Sequence, residues 1–203
     1  MSANDKPAVA KTESSAKPRV KDRIFETACD LFYRQGIRCV GVDTIASEAG
    51  TNKMSFYRSF PSKDDLVVEY LEKQSEAFWE WWDSIVSTHP DDPRRQIEAL
   101  FAGQVAKACP QNQHGCAFIN AAVELRDTDR DAIAVIHRNK AEIRKRLRKM
   151  AKATGAKSPD LLGDALVLLA EGNAMTHLSF AHEEWPGLQS PKIVKKLLDA
   201  FLA

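Results

Sequence analysis

The chain carries at residues 42–66 the stretch VDTIASEAGTNKMSFYRSFPSKDDL, and the fold of its N-terminal third follows from it. Apolar residues recur here at helical spacing, which predicts one short helix over residues 42–49 that ends at Gly50. Asn52 stands directly after the turn, where its side chain can cap a second short helix. Two short helices joined by a tight turn place a recognition helix in the major groove of DNA. The stretch therefore predicts a helix-turn-helix motif at about residues 42–60.

The second of these helices has an apolar side and a polar side. Phe56 and Phe60 lie one turn apart and are expected to face the core. The residues left on the outward or flanking faces are Lys53, Met54, Tyr57 and Arg58. Because a recognition helix points its first turn at base edges, Lys53 is placed to donate to guanine and Met54 to contact a thymine methyl group. Phosphate contacts, which supply affinity without reading sequence, are predicted for Thr44, Ser55, Tyr57, Ser59 and Lys63.

Further motifs stand in one register with this unit. They are Ile24, Ala28, Leu31-Phe32, Gly36, Ile45-Ala46, Ala49-Gly50, Phe56-Tyr57-Arg58-Ser59-Phe60 and Ser62-Lys63-Asp64-Asp65-Leu66. The run from Arg23 to Leu66, about a quarter of the chain, resembles the DNA-binding domain of the TetR family of transcriptional regulators. The resemblance implies DNA contacts by Lys53, Met54, Ser55, Tyr57, Ser59 and Lys63. It also implies that the rest of the chain holds a ligand pocket and a dimer interface.

The composition is typical of a folded chain, and the charge distribution favours binding of a polyanion by its N-terminal part. The 203 residues are 44% hydrophobic and 28% charged, with a net charge of +1, which makes wholesale disorder improbable. Residues 1–63 hold 11 Lys and Arg against 7 Asp and Glu, so the N-terminal third is basic. A second basic run, residues 138–152, is interpreted as a solvated helix face. The start of the chain has no apolar stretch that could act as a signal peptide, which predicts a cytoplasmic location.

Helical spacing continues to the end of the chain. Further helices are predicted at about residues 92–108, 116–126, 129–153, 160–182 and 191–202, after a long fourth helix that starts at Ser62 and ends near Val86. The predicted fold is all-α with about nine helices. Its parts are a flexible arm over residues 1–19, a three-helix DNA-binding domain over residues 20–66, and a helical ligand-binding and dimerisation domain over residues 67–203.

Candidate ligand-binding residues come from aromatic and polar positions in that second domain. The aromatic cluster at the end of the fourth helix is either core or pocket wall, and the polar residues within apolar helices serve either internal hydrogen bonds or a ligand. Residues 114–125, HGCAFINAAVEL, resemble a GCxFxNAAxE stretch in one branch of the TetR family. The predicted ligand-binding residues are Trp79, Trp82, Cys116, Phe118, Asn120, Glu124, His137, Asn173 and His177. A small, largely apolar inducer is expected.

The last two helices are the predicted dimer seam. Apolar stripes on both would make a four-helix bundle across a two-fold axis, although some of these residues must belong to the core of one subunit. The predicted interface residues are Leu162, Leu166, Leu169, Asn173, Ile193, Leu197 and Phe201. A homodimer would read two half-sites of a palindromic operator.

No catalytic or cofactor motif is visible. Nucleophile-elbow, dinucleotide-binding and P-loop glycine patterns are missing from the sequence, and Cys109, His114 and Cys116 lack a fourth metal ligand. No catalytic residue, cofactor or metal is therefore predicted. The leading hypothesis is a ligand-responsive repressor that is not an enzyme. Its rival is an all-α small-molecule-binding protein or enzyme with a vestigial helix-turn-helix, and a thiol change at Cys116 is the alternative to control by a ligand.

Overall fold

The computed structural model describes residues 19–108, 114–126 and 129–203. The described residues contain nine α-helices and no strand, which confirms the predicted all-α fold. The helices are α1 (Val20–Gln35), α2 (Val42–Glu48), α3 (Lys53–Ser59), α4 (Lys63–Val86), α5 (Pro93–Lys107), α6 (Ala117–Leu125), α7 (Arg130–Ala153), α8 (Pro159–Thr176) and α9 (Ser190–Leu202). The predicted flexible arm and Cys109 lie outside the described residues, apart from Arg19 at the start of α1.

Local capping sets the first helices as the sequence predicts. The Asn52 side chain accepts a hydrogen bond from the Ser55 amide at 2.9 Å and so caps α3. Ser62 caps α4 by accepting from the Asp65 amide at 3.0 Å, and its hydroxyl donates to the Asp65 carboxylate at 2.6 Å. Between α2 and α3, Gly50 takes a φ of +63°, which an L side chain rarely adopts.

The N-terminal core continues into the rest of the chain. Phe56 is fully buried and Phe60 is 2% exposed, which confirms the inward face predicted for α3. The apolar cluster around them includes Leu66, Tyr70 and Leu71 of α4. It also takes in residues of α6 and of the start of α7, namely Phe118, Ala121, Leu125, Ala132, Val135 and Ile136. Helices α4 and α6 therefore join the helix-turn-helix unit to the body.

A second apolar cluster fills the body between α4, α5, α7, α8 and α9. Helices α7 and α8 approach closely at Gly163, where an added Cβ would lie 2.7 Å from the Cα of Arg148. The Asp164 carboxylate accepts hydrogen bonds from the guanidinium groups of both Arg144 and Arg148. These bonds hold the carboxylate in its ionised form, so the pKa of Asp164 lies well below its usual range. Helices α7 and α8 are thus joined by backbone proximity and by an arginine clamp.

Helix α8 ends earlier than predicted. The sequence predicts a helix to residue 182, whereas α8 stops at Thr176 and two short 3-10 helices follow, at His182–Glu184 and Pro186–Gln189. The last turn of α8 tightens, because the Leu178 amide donates to the Met175 carbonyl and the Ser179 amide to the Thr176 carbonyl, each three residues back. The Trp185 indole N–H donates at 3.2 Å to the Asn173 carbonyl, which also accepts from the His177 amide. No helix in the described ranges is long and apolar enough to cross a membrane.

Most of the basic run at residues 138–152 is neutralised within the chain. Six of its eight cations form ion pairs, with acidic residues of α4, α7 and α8. They are Arg138, Lys140, Arg144, Lys145, Arg146 and Arg148. The run is therefore a solvated face in part, as predicted, but several of its cations form ion pairs with neighbouring helices.

Candidate functional site

The outward side of α2 and α3 presents a polar surface. The side chains of Met54 and Tyr57 are 72% and 50% exposed, although both are apolar or aromatic residues on a short helix. Lys53, Arg58 and Thr44 are also exposed. Lys53 Nζ lies 3.1 Å from Asp43 Oδ2, and such an exposed pair is weak enough to open for a stronger anion. The surface can therefore offer cations and an aromatic hydroxyl to a phosphate backbone.

Two of the predicted phosphate contacts are engaged within the chain. Ser59 donates its hydroxyl to the Ser55 carbonyl at 2.9 Å, and both residues are only partly exposed. Lys63 Nζ donates to the Ile37 carbonyl at 2.6 Å and lies above the Phe32 ring. Burial lowers the pKa of this lysine, and its ammonium is shared between solvent and the α1–α2 loop. Lys63 thus also holds the loop that precedes the helix-turn-helix.

The same loop is held from its other side by α6. Glu124 Oε2 accepts a hydrogen bond from the Arg38 backbone amide at 2.7 Å. Gly36 ends α1 with a φ of +87°, and an added Cβ there would lie 3.1 Å from both Glu124 carboxylate oxygens. Only glycine allows both the turn and this approach. The loop over residues 36–40 is therefore fixed between Lys63 of α4 and Glu124 of α6.

The opposite end of α6 also contacts the N-terminal helices. Tyr33 of α1 donates its hydroxyl to the Gly115 carbonyl at 3.1 Å. The Tyr33 ring packs edge-on against His114, with ring centroids 5.4 Å apart. One short helix, with the residues that lead into it, thus contacts the N-terminal helices and their connecting loop at both of its ends.

An aromatic cavity of about 80 Å³ lies in the body beside the start of α6. Its walls are mostly apolar and include the rings of Phe78, Trp81, Trp82, Phe101 and Phe118. Lys140 and Glu171 contribute the charged groups, and Lys140 Nζ lies 2.7 and 2.8 Å from the two Glu171 carboxylate oxygens. Asn139 and the thiol of Cys116 also line this inner cavity.

A wider cleft of about 420 Å³ adjoins the inner cavity. The two share Phe78, Trp81, Gln104, Cys116, Phe118 and Ala174. The cleft also reaches Tyr33 of α1 and, on the far side, Asn173, His177 and Trp185. Burial lowers the pKa of His177, and the neighbouring His182 adds to this shift, so the imidazole stays neutral near pH 7. The volume falls within the range of small-molecule sites.

Comparison with known proteins identifies the N-terminal part. Residues 24–70 match the family model described as "Bacterial regulatory proteins, tetR family". The regulator EthR of Mycolicibacterium smegmatis is 31% identical over 86 residues, which are 41% of this chain. The match spans about 40% of the length of that curated relative.

The solved structures extend the likeness to nearly the whole chain. SCO4454, a TetR-family transcriptional regulator from Streptomyces coelicolor, aligns over 91% of this chain and 96% of its own, with a TM-score of 0.85 and 24% identity. A regulator from Streptomyces avermitilis, described as a TetR transcriptional regulator, is 28% identical over 91% of this chain and 98% of its own, with a TM-score of 0.77. Residues 24–70 therefore match the TetR family, and nearly the whole chain is similar in fold to TetR-family regulators.

Five of the nine predicted ligand-binding residues line the two cavities. They are Trp82, Cys116, Phe118, Asn173 and His177. The other four predicted residues line neither cavity, and their side chains are engaged or exposed elsewhere. Trp79 stacks under the Arg146 guanidinium, Asn120 donates to the His114 carbonyl, Glu124 holds the Arg38 amide, and His137 is exposed on α7.

The structure buries part of the predicted dimer seam on α8 within the subunit. Leu162 and Leu166 are fully buried against the body of their own subunit, and Asn173 is 5% exposed and bonded to Gln104, so they offer a partner almost no surface. Leu169, Leu197 and Phe201 are partly buried in the same cluster, while Ile193 is 45% exposed. The apolar residues that α8 leaves exposed are Leu161, Leu168 and Met175, at 64%, 74% and 42%.

Sequence reasoning missed several of the residues that line the two cavities. Asn139 is 3% exposed and lies four residues from both Val135 and Ile143, which are buried on the same face of α7. This helical spacing is the sequence signal that predicts a buried Asn139. Lys140 and Glu171 meet only in three dimensions, and no local pattern pairs them. Trp81 belonged to the predicted aromatic cluster, but its ring rather than that of Trp79 lines both cavities.

Proposed function

We propose that this regulator binds a palindromic operator as a homodimer and releases it when a small molecule enters the two cavities. The observation that carries the proposal is the position of α6, whose start lines the cavities and whose end holds the loop before the helix-turn-helix. Residues 20–66 serve as the DNA-binding domain and residues 67–203 as the ligand-binding and dimerisation domain. The exposed residues of α2 and α3 face the DNA.

The proposed control runs through α6 as well as through α4. A ligand shifts the equilibrium between DNA-binding and released states only by its differential affinity for them. Cys116 stands directly before α6 and lines both cavities, so a ligand there presses on the start of the helix. Eight residues later, Glu124 lies in the last turn of α6 and accepts a hydrogen bond from the Arg38 amide. Helix α4 supplies a second link, from Lys63 at the loop to Trp82 at the inner cavity.

Two lysine variants test the DNA-binding surface. Lys53→Ala should relax preference at one base position, at about 1–3 kcal/mol of operator binding, because its ammonium is placed to reach a base edge. Lys63→Ala should weaken binding to every sequence alike, because it loosens the α1–α2 loop and removes a cation near the backbone. Fluorescence anisotropy with a library of operator variants at several salt concentrations separates these effects.

Lys195→Ala is the matched control for both lysines, since Lys195 is an exposed cation on α9. It should leave affinity and salt dependence unchanged. Equal, sequence-independent losses for Lys53→Ala and Lys63→Ala would show that the register of α3 on DNA is wrong. A different outcome would show that a thiol, and not a ligand, controls DNA binding. In that case an oxidant releases the operator from the wild type but not from Cys116→Ser, and no small molecule releases it from the wild type.

Glu124→Gln tests the link through α6. The neutral amide loses a charge-assisted hydrogen bond to the Arg38 N–H, which contributes roughly 1.5–3 kcal/mol. Amide hydrogen exchange over residues 36–40 should therefore become about tenfold faster or more, and operator affinity should fall. Val123→Ala, which trims an exposed neighbour on the same helix, should change neither quantity. Unchanged exchange in Glu124→Gln would mean that α6 does not restrain the loop.

A further inference from the structure

The inner cavity combines aromatic walls with charges that cancel. Five aromatic rings line it, and its cation and anion are already bonded to each other across α7 and α8. A ligand with a net charge would leave one member of the Lys140–Glu171 pair facing a like charge in a partly buried site. Uncharged aromatic molecules avoid this repulsion and gain ring-to-ring contacts on the walls.

One residue that lines the inner cavity has a polar atom without a partner. Asn139 is 3% exposed, and its amide nitrogen donates to the Ser75 hydroxyl at 2.9 Å. Its carbonyl oxygen Oδ1 is buried and accepts no hydrogen bond from any described residue. Buried polar groups are nearly always hydrogen-bonded, so this unpaired acceptor of a lining residue is the group that a donor from a ligand would satisfy. Carboxylates cannot fill that role, because they only accept.

We propose that the inner cavity binds an uncharged monocyclic aromatic molecule with one hydroxyl group, a phenol, whose hydroxyl donates to Asn139 Oδ1. The inference rests on the proposed ligand site and names its chemical class. The ring lies among Trp81, Trp82 and Phe118, and a substituent on the ring extends past the shared wall into the wider cleft. Asn139 is the residue that selects for the hydroxyl.

Isothermal titration calorimetry of the 203-residue chain with four small molecules tests the proposal. 4-Ethylphenol should bind, and 4-ethyltoluene, which replaces the hydroxyl by a methyl group, should bind about tenfold more weakly because Asn139 then stays unpaired. Benzoate carries a negative charge and choline a quaternary ammonium group, and both should bind at least about tenfold more weakly than 4-ethylphenol. Tighter binding of benzoate or choline, or equal binding of the two ethyl compounds, would overturn the assignment.

Asn139→Leu adds the residue-specific test. The leucine side chain has a similar size and no polar atom, so affinity for 4-ethylphenol should drop about tenfold while 4-ethyltoluene binds as well as before or better. His137→Ala, an exposed change two residues away on α7, should alter neither affinity. A preference for 4-ethylphenol that survives in Asn139→Leu would contradict the role of Asn139.

A second variant guards against misfolding of Asn139→Leu. Ala174 lines both cavities, and Ala174→Phe should fill their junction and reduce 4-ethylphenol binding at least about tenfold. Undiminished binding would place the phenol outside the inner cavity and overturn the inference. Operator release is measured separately: 4-ethylphenol that binds without releasing DNA supports the ligand class and contradicts ligand control. Release of the operator by another class of compound, without any binding of 4-ethylphenol, supports ligand control and contradicts the proposed ligand class.

Discussion

Leu168→Glu should give a folded monomer that no longer holds its operator. Leu161, Leu168 and Met175 are spaced seven residues apart on α8, so they form one exposed apolar line, and Leu168 at its centre is 74% exposed. We propose that this line, with Ile193 of α9, packs against its copy in a second subunit as a four-helix bundle. A glutamate at its centre would bury a charge without a partner in the dimer, yet it is well solvated in the monomer.

The expected loss of operator affinity is about 10²–10⁴-fold, because two linked half-site contacts become one. Analytical ultracentrifugation and circular dichroism report mass and helix content, and anisotropy reports DNA binding. Val123→Glu is the matched control, since Val123 of α6 is also an exposed apolar residue, at 56%. It should remain dimeric and bind normally. A Leu168→Glu protein that stays dimeric would show that the dimer interface does not include Leu168.

Gly163→Val should destabilise the body strongly. Even a Cβ at residue 163 would lie 2.5 Å from Arg148 Cγ and 2.9 Å from the Arg148 backbone nitrogen. Backbone atoms cannot swing aside as a side chain does, so α7 and α8 must separate and strain the Arg144 and Arg148 bonds to Asp164. Overpacking of this kind costs about 3 kcal/mol or more. A fall of roughly 6–12 °C in Tm is expected by thermal denaturation.

Gly41→Ser provides the comparison, because a Cβ at Gly41 meets no atom within 4 Å. Gly41 precedes α2 without any side-chain cap, so a serine there can supply one and should raise Tm slightly. If Gly163→Val melts at the wild-type temperature, the close approach of α7 and α8 is not required for the fold.

The N-terminal unit could be predicted because its signals are local. The caps Asn52 and Ser62 act on amides three residues away, and Phe56 and Phe60 lie on one face of a single short helix. The spacing of such residues is legible without knowledge of the rest of the chain. The bounds of most body helices followed from proline and glycine in the same way. The end of α8 was predicted too late because no proline or glycine stands between Thr176 and Pro186 to mark it.

The inward side of α8 could not be predicted from periodicity. Residues 161–170 are apolar nearly all round the helix, so the pattern does not distinguish Leu162 and Leu166, which are buried, from Leu161 and Leu168, which are exposed. Only Gly163 and Asp164 mark the buried side of α8, and they do so through contacts with Arg148 of α7, which the sequence of α8 does not reveal. The cavity residues Lys140 and Glu171 were missed for the same reason, since they lie 31 residues apart.

The bridges along α7 have a consequence for how the regulator finds DNA. With Arg138, Arg144 and Arg146 already facing acidic side chains, the body projects little positive potential. The basic third of the chain then dominates the long-range field, so an approaching duplex is steered toward α2 and α3 rather than toward the back of the molecule. Productive collisions become more frequent without any added contact, and raising the ionic strength slows association by screening that attraction.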